Sequence, residues 1–208
     1  IGIIGMAHVP TETRIDALKS LMNLVACNEA AREVAVRKNA IVALAGLVKR
    51  IPSTDIESKS YIGRIIKMIS IYVSGRIFIQ EQGGTKVLGS LSKSDNSAIK
   101  IDVAMALENL SRCKYQLNLV DEGCIDSLFR LCCHDFNKDT VPVCRFSSAC
   151  VRNLSTNRTT LSRLVLEERL MPVLKIFANC PDVETKYNTC ISLHNILSNY
   201  STQEIMIR

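Results

Sequence analysis

The amino-acid sequence predicts an all-α fold, an α-solenoid assembled from a repeated helical unit. Three observations carry this prediction. One short pattern recurs every 39 to 47 residues, a second pattern keeps step with it, and the apolar residues between them follow helical spacing. Periods of this length are typical of helical arrays, in which neighbouring units bury a shared core.

The first pattern is a short stretch that ends in Asn-Leu or a close variant. It occurs as S-L-M-N-L, K-M-I-S-I, A-L-E-N-L, C-V-R-N-L and S-L-H-N-I. The repeat position is therefore occupied by Asn23, Ser70, Asn109, Asn153 and Asn195. Four of the five residues are Asn, and Ser70 interrupts the series.

The second pattern follows each of the first four occurrences at a near-constant distance. It reads R-K-N-A-I-V-A-L, E-Q-G-G-T-K-V-L, D-E-G-C-I-D-S-L and E-E-R-L-M-P-V-L. Two patterns that keep the same period indicate a true repeat, because a chance match would not preserve both.

Helical spacing and turn-forming breaks define the elements between these patterns. Val103, Ala106, Leu107 and Leu110 follow the i, i+3, i+4, i+7 order of one helix face. Breaks are expected at Pro10 and at I-P-S-T-D, S-K-S-D-N, H-D-F-N-K-D and N-C-P-D, all rich in turn formers and N-cap residues. Each break precedes a long helix that carries the Asn position.

The stretch V-D-E-G-C-I-D-S-L-F-R-L, followed by a turn and A-C-V-R-N-L-S, resembles the armadillo repeat. The resemblance covers essentially the whole chain and implies a right-handed superhelix of about five stacked three-helix units. It also implies a fragment of a longer solenoid with neighbouring repeats at both ends, because neither end supplies a polar capping unit. HEAT repeats are the alternative, although they normally lack the Asn-Leu ending. The expected units are 1–27 (partial), 28–73, 74–112, 113–156, 157–200 and 201–208, the start of the next.

In the armadillo family the third helices line a concave groove, where the Asn brackets the backbone of an extended peptide. The resemblance therefore implies a binding ladder formed by Asn23, Asn109, Asn153 and Asn195. The alternative is that each Asn satisfies neighbouring backbone groups. One turn earlier, importin-α-like proteins carry Trp, so the match to importin-α is not close. This chain has Lys19, Ile66, Met105, Ala149 and Ile191 there.

Apolar and basic side chains complete the expected groove. Ile66 and Met105 are expected at its centre, and Arg145 and Arg152 lie seven residues apart on one helix face of the next unit. This combination predicts a partner peptide or helix that is apolar with an acidic flank. The alternatives are that the apolar residues, including Ile62 and Ile101, belong to the core and that the arginines form a solvated face.

Composition indicates an intracellular, cytoplasmic protein and leaves room for cytoskeletal association. The nine cysteines lack the spacing of a disulfide framework and are expected to be reduced and buried, including Cys27, Cys150 and Cys190. The net charge of +6 is dispersed, so no nucleic-acid partner is expected. No apolar run is long enough to span a bilayer.

The sequence predicts neither catalysis nor a cofactor. Cys132, Cys133, His134 and Cys144 lack the spacing of a zinc site, and no nucleophile motif surrounds a histidine. The predicted function is therefore a protein-interaction scaffold or adaptor. The alternatives are a component of a cytoskeletal or axonemal assembly, an accessory domain of an enzyme, and a disfavoured nuclear transport adaptor.

Overall fold

The computed structural model describes residues 1–5, 9–132 and 135–199. Over these ranges the chain forms fourteen helices and no strand, so the all-α prediction is confirmed. The helices are α1 (Gly2–Gly5), α2 (Thr11–Cys27), α3 (Glu29–Arg37), α4 (Ala40–Val48), α5 (Ile56–Ser70), α6 (Val73–Glu81), α7 (Gly84–Leu91), α8 (Ser97–Ser111), α9 (Gln116–Asp121), α10 (Cys124–Leu131), α11 (Val141–Ser155), α12 (Arg158–Leu164), α13 (Leu170–Asn179) and α14 (Val183–Leu197).

The chain divides into two compact units, Ile1–Ala106 and Leu107–Arg208. The first unit contains α1 to α7 and the start of α8, and in it α2 packs along α5 and α4 packs on α7. The second unit contains the end of α8 and α9 to α14, and in it α11 packs along α14 and α10 on α13.

Two short helices precede each of the long helices α5, α8, α11 and α14, which have 15 residues each. We call these four and α2 the third helices. The unit limits expected from the sequence stay a prediction. Within the described ranges, no helix combines the length and the apolar character needed to cross a bilayer.

The second sequence pattern marks a left-handed turn between the first and second short helices. Asn39, Gly83 and Gly123 have φ angles of 59°, 77° and 81° and stand immediately before α4, α7 and α10. Gly and Asn adopt this conformation most readily, which explains their place in the pattern. Before α13 the pattern has Arg169, whose φ of −82° shows that this turn is not left-handed.

Each third helix buries one stripe of side chains, and the stripe ends at the same repeat position in all five helices. The last aliphatic residue of each stripe is fully buried: Val25, Ile69, Leu110, Leu154 and Ile196. The N-cap residues Asp55, Asn96 and Asp182 each stand fourteen positions before such a residue and accept a hydrogen bond from the first turn. The N-cap residues and the buried stripe therefore give the same repeat alignment of the third helices, each without reference to the other.

Burial of the cysteines follows the prediction for six of the eight that the structure describes. Cys113, Cys124, Cys132, Cys144, Cys150 and Cys180 are buried free thiols. Cys27 and Cys190 are exposed, so the prediction that they are buried is wrong. Both lie on third helices but outside the core stripe. Cys133 lies outside the described residues.

Candidate functional site

Each third helix presents one side chain at a shared position beside the core. We define the ladder position as the residue immediately before the buried aliphatic that ends the core stripe. None of the five side chains at this position is buried. They are Leu24, Met68, Asn109, Asn153 and Asn195.

The predicted repeat register is wrong in the first two third helices, and the binding role predicted for Asn23 stays a prediction. Asn23 precedes Leu24 by one residue, which places it about 100° away around the helix. Ser70 lies two residues after Met68 and is fully buried. The repeat pattern in the sequence matched Ile71 to the Leu of Asn-Leu, whereas Ile69 occupies this position, because Ile69 is fully buried and Ile71 is 47% exposed.

The prediction that Ile66 lines an accessible groove is also wrong. Ile66 and Ile62 are fully buried, because they belong to the core stripe that ends at Ile69. Met105 and Ile101 are half-buried and do reach the surface of α8. On α5 the position one turn before the ladder residue is occupied by the exposed Arg64.

Serine hydroxyls fix the orientation of two ladder asparagines. Ser111 Oγ donates its proton to Glu108 O at 2.6 Å, and Ser155 Oγ donates to Arg152 O at 2.8 Å. Each hydroxyl can therefore only accept from its neighbour. Asn153 Nδ2 donates to Ser111 Oγ and Asn195 Nδ2 to Ser155 Oγ, both at 2.9 Å.

This arrangement leaves half of each amide available. The Oδ1 atoms of Asn153 and Asn195 have no hydrogen-bond partner among the described residues, and each Nδ2 carries a second proton. One acceptor and one donor per side chain match the N–H and C=O of an extended peptide backbone. The amide thus links two third helices and keeps one donor and one acceptor for a further partner. Asn109 is half-buried at the same position of α8.

Arg145 is engaged within the second unit. Its Nη2 donates to Asp182 Oδ1 at 2.6 Å and its Nε to Oδ2 at 3.2 Å, and Glu184 lies 3.3 Å from Nε. Hydrogen bonding from Arg145 lowers the pKa of Asp182 to about 2, and the same contact raises the pKa of Arg145. Two carboxylates compensate this arginine, so its main role in the structure is to hold the N-cap of α14.

Arg152 is positioned without a carboxylate partner. Its Nη1 donates to Asn188 Oδ1 at 2.8 Å, and Asn188 Nδ2 donates to Ser148 Oγ at 3.1 Å. Arg152 forms no ion pair with any described residue. Asn153 follows Arg152 directly in the helix, so the two side chains leave α11 about 100° apart.

The third helices of the first unit are joined by ion pairs. Lys67 on α5 donates to the buried Asp102 on α8, and Arg64 Nε lies 3.8 Å from the same carboxylate. Arg14 on α2 binds the N-cap Asp55 at 2.6 Å. Lys67 stands immediately before the ladder residue Met68, as Arg152 stands before Asn153. In this unit, however, the charge at that position is compensated.

No family model matches the sequence, and no curated protein does. Solved structures match over most of the chain. A designed armadillo repeat protein, YIII(Dq)4CqI, is 18% identical with a TM-score of 0.73 and covers 93% of this chain and 79% of its own. Computationally designed armadillo repeat proteins for modular peptide recognition are 16% identical with a TM-score of 0.77, covering 94% and 81%.

A third match is a designed armadillo repeat protein in complex with the peptide (KR)4, at 14% identity and a TM-score of 0.63, covering 93% of this chain and 98% of its own. The fold is that of an armadillo repeat array. The predicted armadillo-type α-solenoid is thereby confirmed, and these low identities establish the fold alone.

The repeat patterns in the sequence did not identify four polar residues that hydrogen-bond to the candidate site residues of this armadillo array: Ser111, Ser155, Asp182 and Asn188. Two of them had a visible signal, because Asn-Leu-Ser occurs at both Asn109 and Asn153 and places Ser two residues after the ladder position. Ser70 stands at the same place after Met68 and likewise donates to a carbonyl three residues earlier, Lys67 O, at 2.7 Å. N-C-P-D indicated an N-cap at Asp182 but not its pairing with Arg145, and Asn188 had no signal, since both pairings depend on packing of α14 against α11.

Proposed function

We propose that this chain is a non-enzymatic binding scaffold that takes an extended peptide along α11 and α14. Its central contacts are the amides of Asn153 and Asn195, which bind the peptide backbone, and the guanidinium of Arg152, which binds an acidic side chain. The observation that carries the proposal is the fixed orientation of the two amides, each with Oδ1 and one N–H remaining.

Orientation matters because it lowers the entropy lost on binding. A free Asn side chain must be ordered when it meets a peptide, whereas Asn153 and Asn195 are already held by serine hydroxyls. A net hydrogen bond contributes roughly 0.5–1.5 kcal/mol, so two bracketing amides supply a few kcal/mol. Affinity in the micromolar range needs about 8 kcal/mol and therefore further side-chain contacts.

The charge of the groove argues for an acidic residue in the peptide. One designed armadillo protein of similar fold is in complex with the basic peptide (KR)4. In this chain the ladder is flanked by Arg152, which lacks an ion-pair partner among the described residues. A basic peptide would meet repulsion at this point, and an acidic residue would gain a charge-assisted hydrogen bond.

Selection from a random peptide display library, followed by fluorescence polarisation on the selected peptides, tests the proposal. We expect acidic residues among the selected sequences and no binding of a (KR)4 peptide. The Asn153→Ala, Asn195→Ala double variant should weaken binding at least about tenfold. Asn118→Ala is the matched control, because Asn118 is an exposed Asn on α9.

Arg152→Gln separates charge from backbone recognition. Glutamine retains a donor for Asn188 but removes the positive charge. Its binding loss should be large for acidic peptides and small for neutral ones. Unchanged affinity in both the double Asn variant and Arg152→Gln, with folding verified by circular dichroism, would place the binding surface elsewhere.

We also propose a cytoplasmic location, which rests on free cysteines scattered through the repeat without a disulfide framework. The cytoskeletal assembly and nuclear transport alternatives gain no support from a particular contact in the described residues. Fluorescence microscopy of the tagged protein in its native cell tests the location, and a secretory distribution would contradict it.

A further inference from the structure

A buried arginine in the first unit lacks hydrogen-bond partners. Arg32 on α3 is 8% exposed, yet its Nε and Nη1 atoms contact no acceptor. The face of its guanidinium lies 4.2 Å from the centroid of the Tyr72 ring. Stacking on an aromatic ring uses the face of the guanidinium and leaves the N–H groups at its edge without acceptors.

Glu29 and Glu33 line the cavity beside Arg32, but neither forms an ion pair with it. Glu33 pairs with Arg37 at 2.6 Å, one turn along the same helix. Glu29 is exposed in the first turn of α3 and forms no ion pair with a described residue. Buried N–H groups without acceptors are unfavourable, so an anion that accepts from Nε and Nη1 of Arg32 removes a penalty as well as forming new bonds.

A second source of hydrogen-bond donors lies in the small cavity between α3 and α6. Arg32, Tyr72, Ser74 and Gly75 all line it, and Ser74 and Gly75 belong to the first turn of the nine-residue helix α6. That helix has no side-chain cap at Tyr72. The N–H groups of Ser74 and Gly75 donate to no described residue. The positive end of α6 and the edge of Arg32 therefore meet at one cavity.

The size of the cavity limits how much of a ligand can enter. Its volume is about 10 Å3, which holds roughly one water-sized atom. A carboxylate can insert a single oxygen into a space of this size. A Cβ on Gly75 would lie 2.0 Å from the carbonyl oxygen of Ile69, so only glycine permits this close packing beside the site.

We propose that the cavity between α3 and α6 is a carboxylate-binding site in which Arg32 and the first turn of α6 hold one ligand oxygen. The carboxylate comes either from a small free acid or from an acidic side chain of a protein partner. This site is separate from the proposed peptide groove, because it lies on the short helices of the first unit.

The test is a titration of the full chain followed by NMR of the arginine Nε–H signals. Sodium formate represents the free acid, and N-acetyl-glutamate methylamide represents an acidic side chain. Sodium chloride at the same ionic strength is the reference. We expect the Arg32 signal to shift in a saturable way with at least one carboxylate, with a dissociation constant in the millimolar range, and to stay unchanged with chloride.

Two variants make the result specific. Arg32→Met removes the charge and keeps an apolar side chain against Tyr72, whereas Arg37→Met removes an exposed arginine of the same helix. The carboxylate should raise the thermal unfolding midpoint of the wild type and of Arg37→Met but not of Arg32→Met.

The two carboxylates distinguish the sources. A response to formate alone assigns the site to small free acids, and a response to the capped glutamate supports an acidic partner residue. Equal responses to chloride and carboxylates, or no saturable shift of Arg32 in the folded wild type, would overturn the proposal.

Discussion

The third helices of the two units share one burial pattern but differ in the chemistry beside it. In the first unit, α2 and α5 place the apolar Leu24 and Met68 at the ladder position, and ion pairs join neighbouring third helices. In the second unit, α11 and α14 place Asn153 and Asn195 there, and Asn–Ser hydrogen bonds join the helices in addition to the ion pairs of Arg145 with Asp182 and Glu184.

This difference separates the residues that pack the array from the polar residues that vary beside them. Packing requires only the aliphatic stripe, which is present in both units. The polar residues beside the stripe vary, and only in the second unit do they combine oriented amides with an arginine that lacks a carboxylate partner among the described residues. We therefore expect peptide binding to follow changes in the second unit and to tolerate mild changes in the first.

The largest expected effect comes from a charge placed at Ile66. Ile66→Glu buries a carboxylate in the core of the first unit and should cost more than about 4 kcal/mol of unfolding free energy. Met105→Glu, at a half-buried position, should cost less than about 1 kcal/mol. Urea denaturation followed by circular dichroism measures both. Similar urea midpoints for the two variants would contradict the assignment of Ile66 to the buried stripe and of Met105 to the surface.

Next in size is the loss of the buried carboxylate between α5 and α8. Asp102→Ala leaves Lys67 without its main partner and should reduce the unfolding free energy by about 2 kcal/mol, less than for a fully enclosed pair because Lys67 is 21% exposed. Asp102→Asn keeps an acceptor and should cost less. The same urea experiment applies, and a change below 0.5 kcal/mol in Asp102→Ala, within the usual range for plain surface substitutions, would mean that the pair contributes little.

A smaller effect depends on pH and tests the Arg145–Asp182 pair. The pKa of Asp182 is lowered from 3.8 to about 2 in the folded chain, so the pair stabilises the fold above about pH 4. This contribution is lost as the pH falls from 3.8 towards 2. It should amount to about 1 kcal/mol, because Arg145 is 41% exposed.

Arg145→Gln is the comparison for that pH effect. Thermal unfolding between pH 6 and pH 2.5 should show a smaller loss of stability in the variant than in the wild type. Parallel pH curves for the two proteins would show that the pair does not contribute.

The smallest expected effect is the coupling between Asn195 and Ser155. A double-mutant cycle with Asn195→Ala and Ser155→Ala should give a coupling of roughly 0.5–1 kcal/mol. Met68→Asn places an amide at the ladder position of α5 in the first unit. On the preceding third helix α2, the residue that corresponds to Ser111 and Ser155 is Ala26, which offers no hydroxyl. That variant should gain no stability. A coupling near zero in the second unit would contradict the proposed orientation of the amide.

The repeat patterns predicted the fold and part of the site. The period and the Asn or Gly residues before α4, α7 and α10 are local features, so the sequence displays them directly. Asn109, Asn153 and Asn195 were placed at the correct repeat position because Leu110, Leu154 and Ile196 follow them. Asn23 and Ser70 were misplaced because the matching stretches are apolar on both sides, and several alignments fit equally well.

The sequence by itself determined that this chain is an all-α armadillo array, because helix periodicity and turn residues act over a few positions and repeat along the chain. Only the tertiary structure decided which side of each third helix is buried, and hence that Ile66 is core and Arg64 is exposed. It also decided the partners of Arg145, Arg152 and the ladder asparagines. Those contacts join residues about 40 positions apart, and they form only when one helix packs against the next.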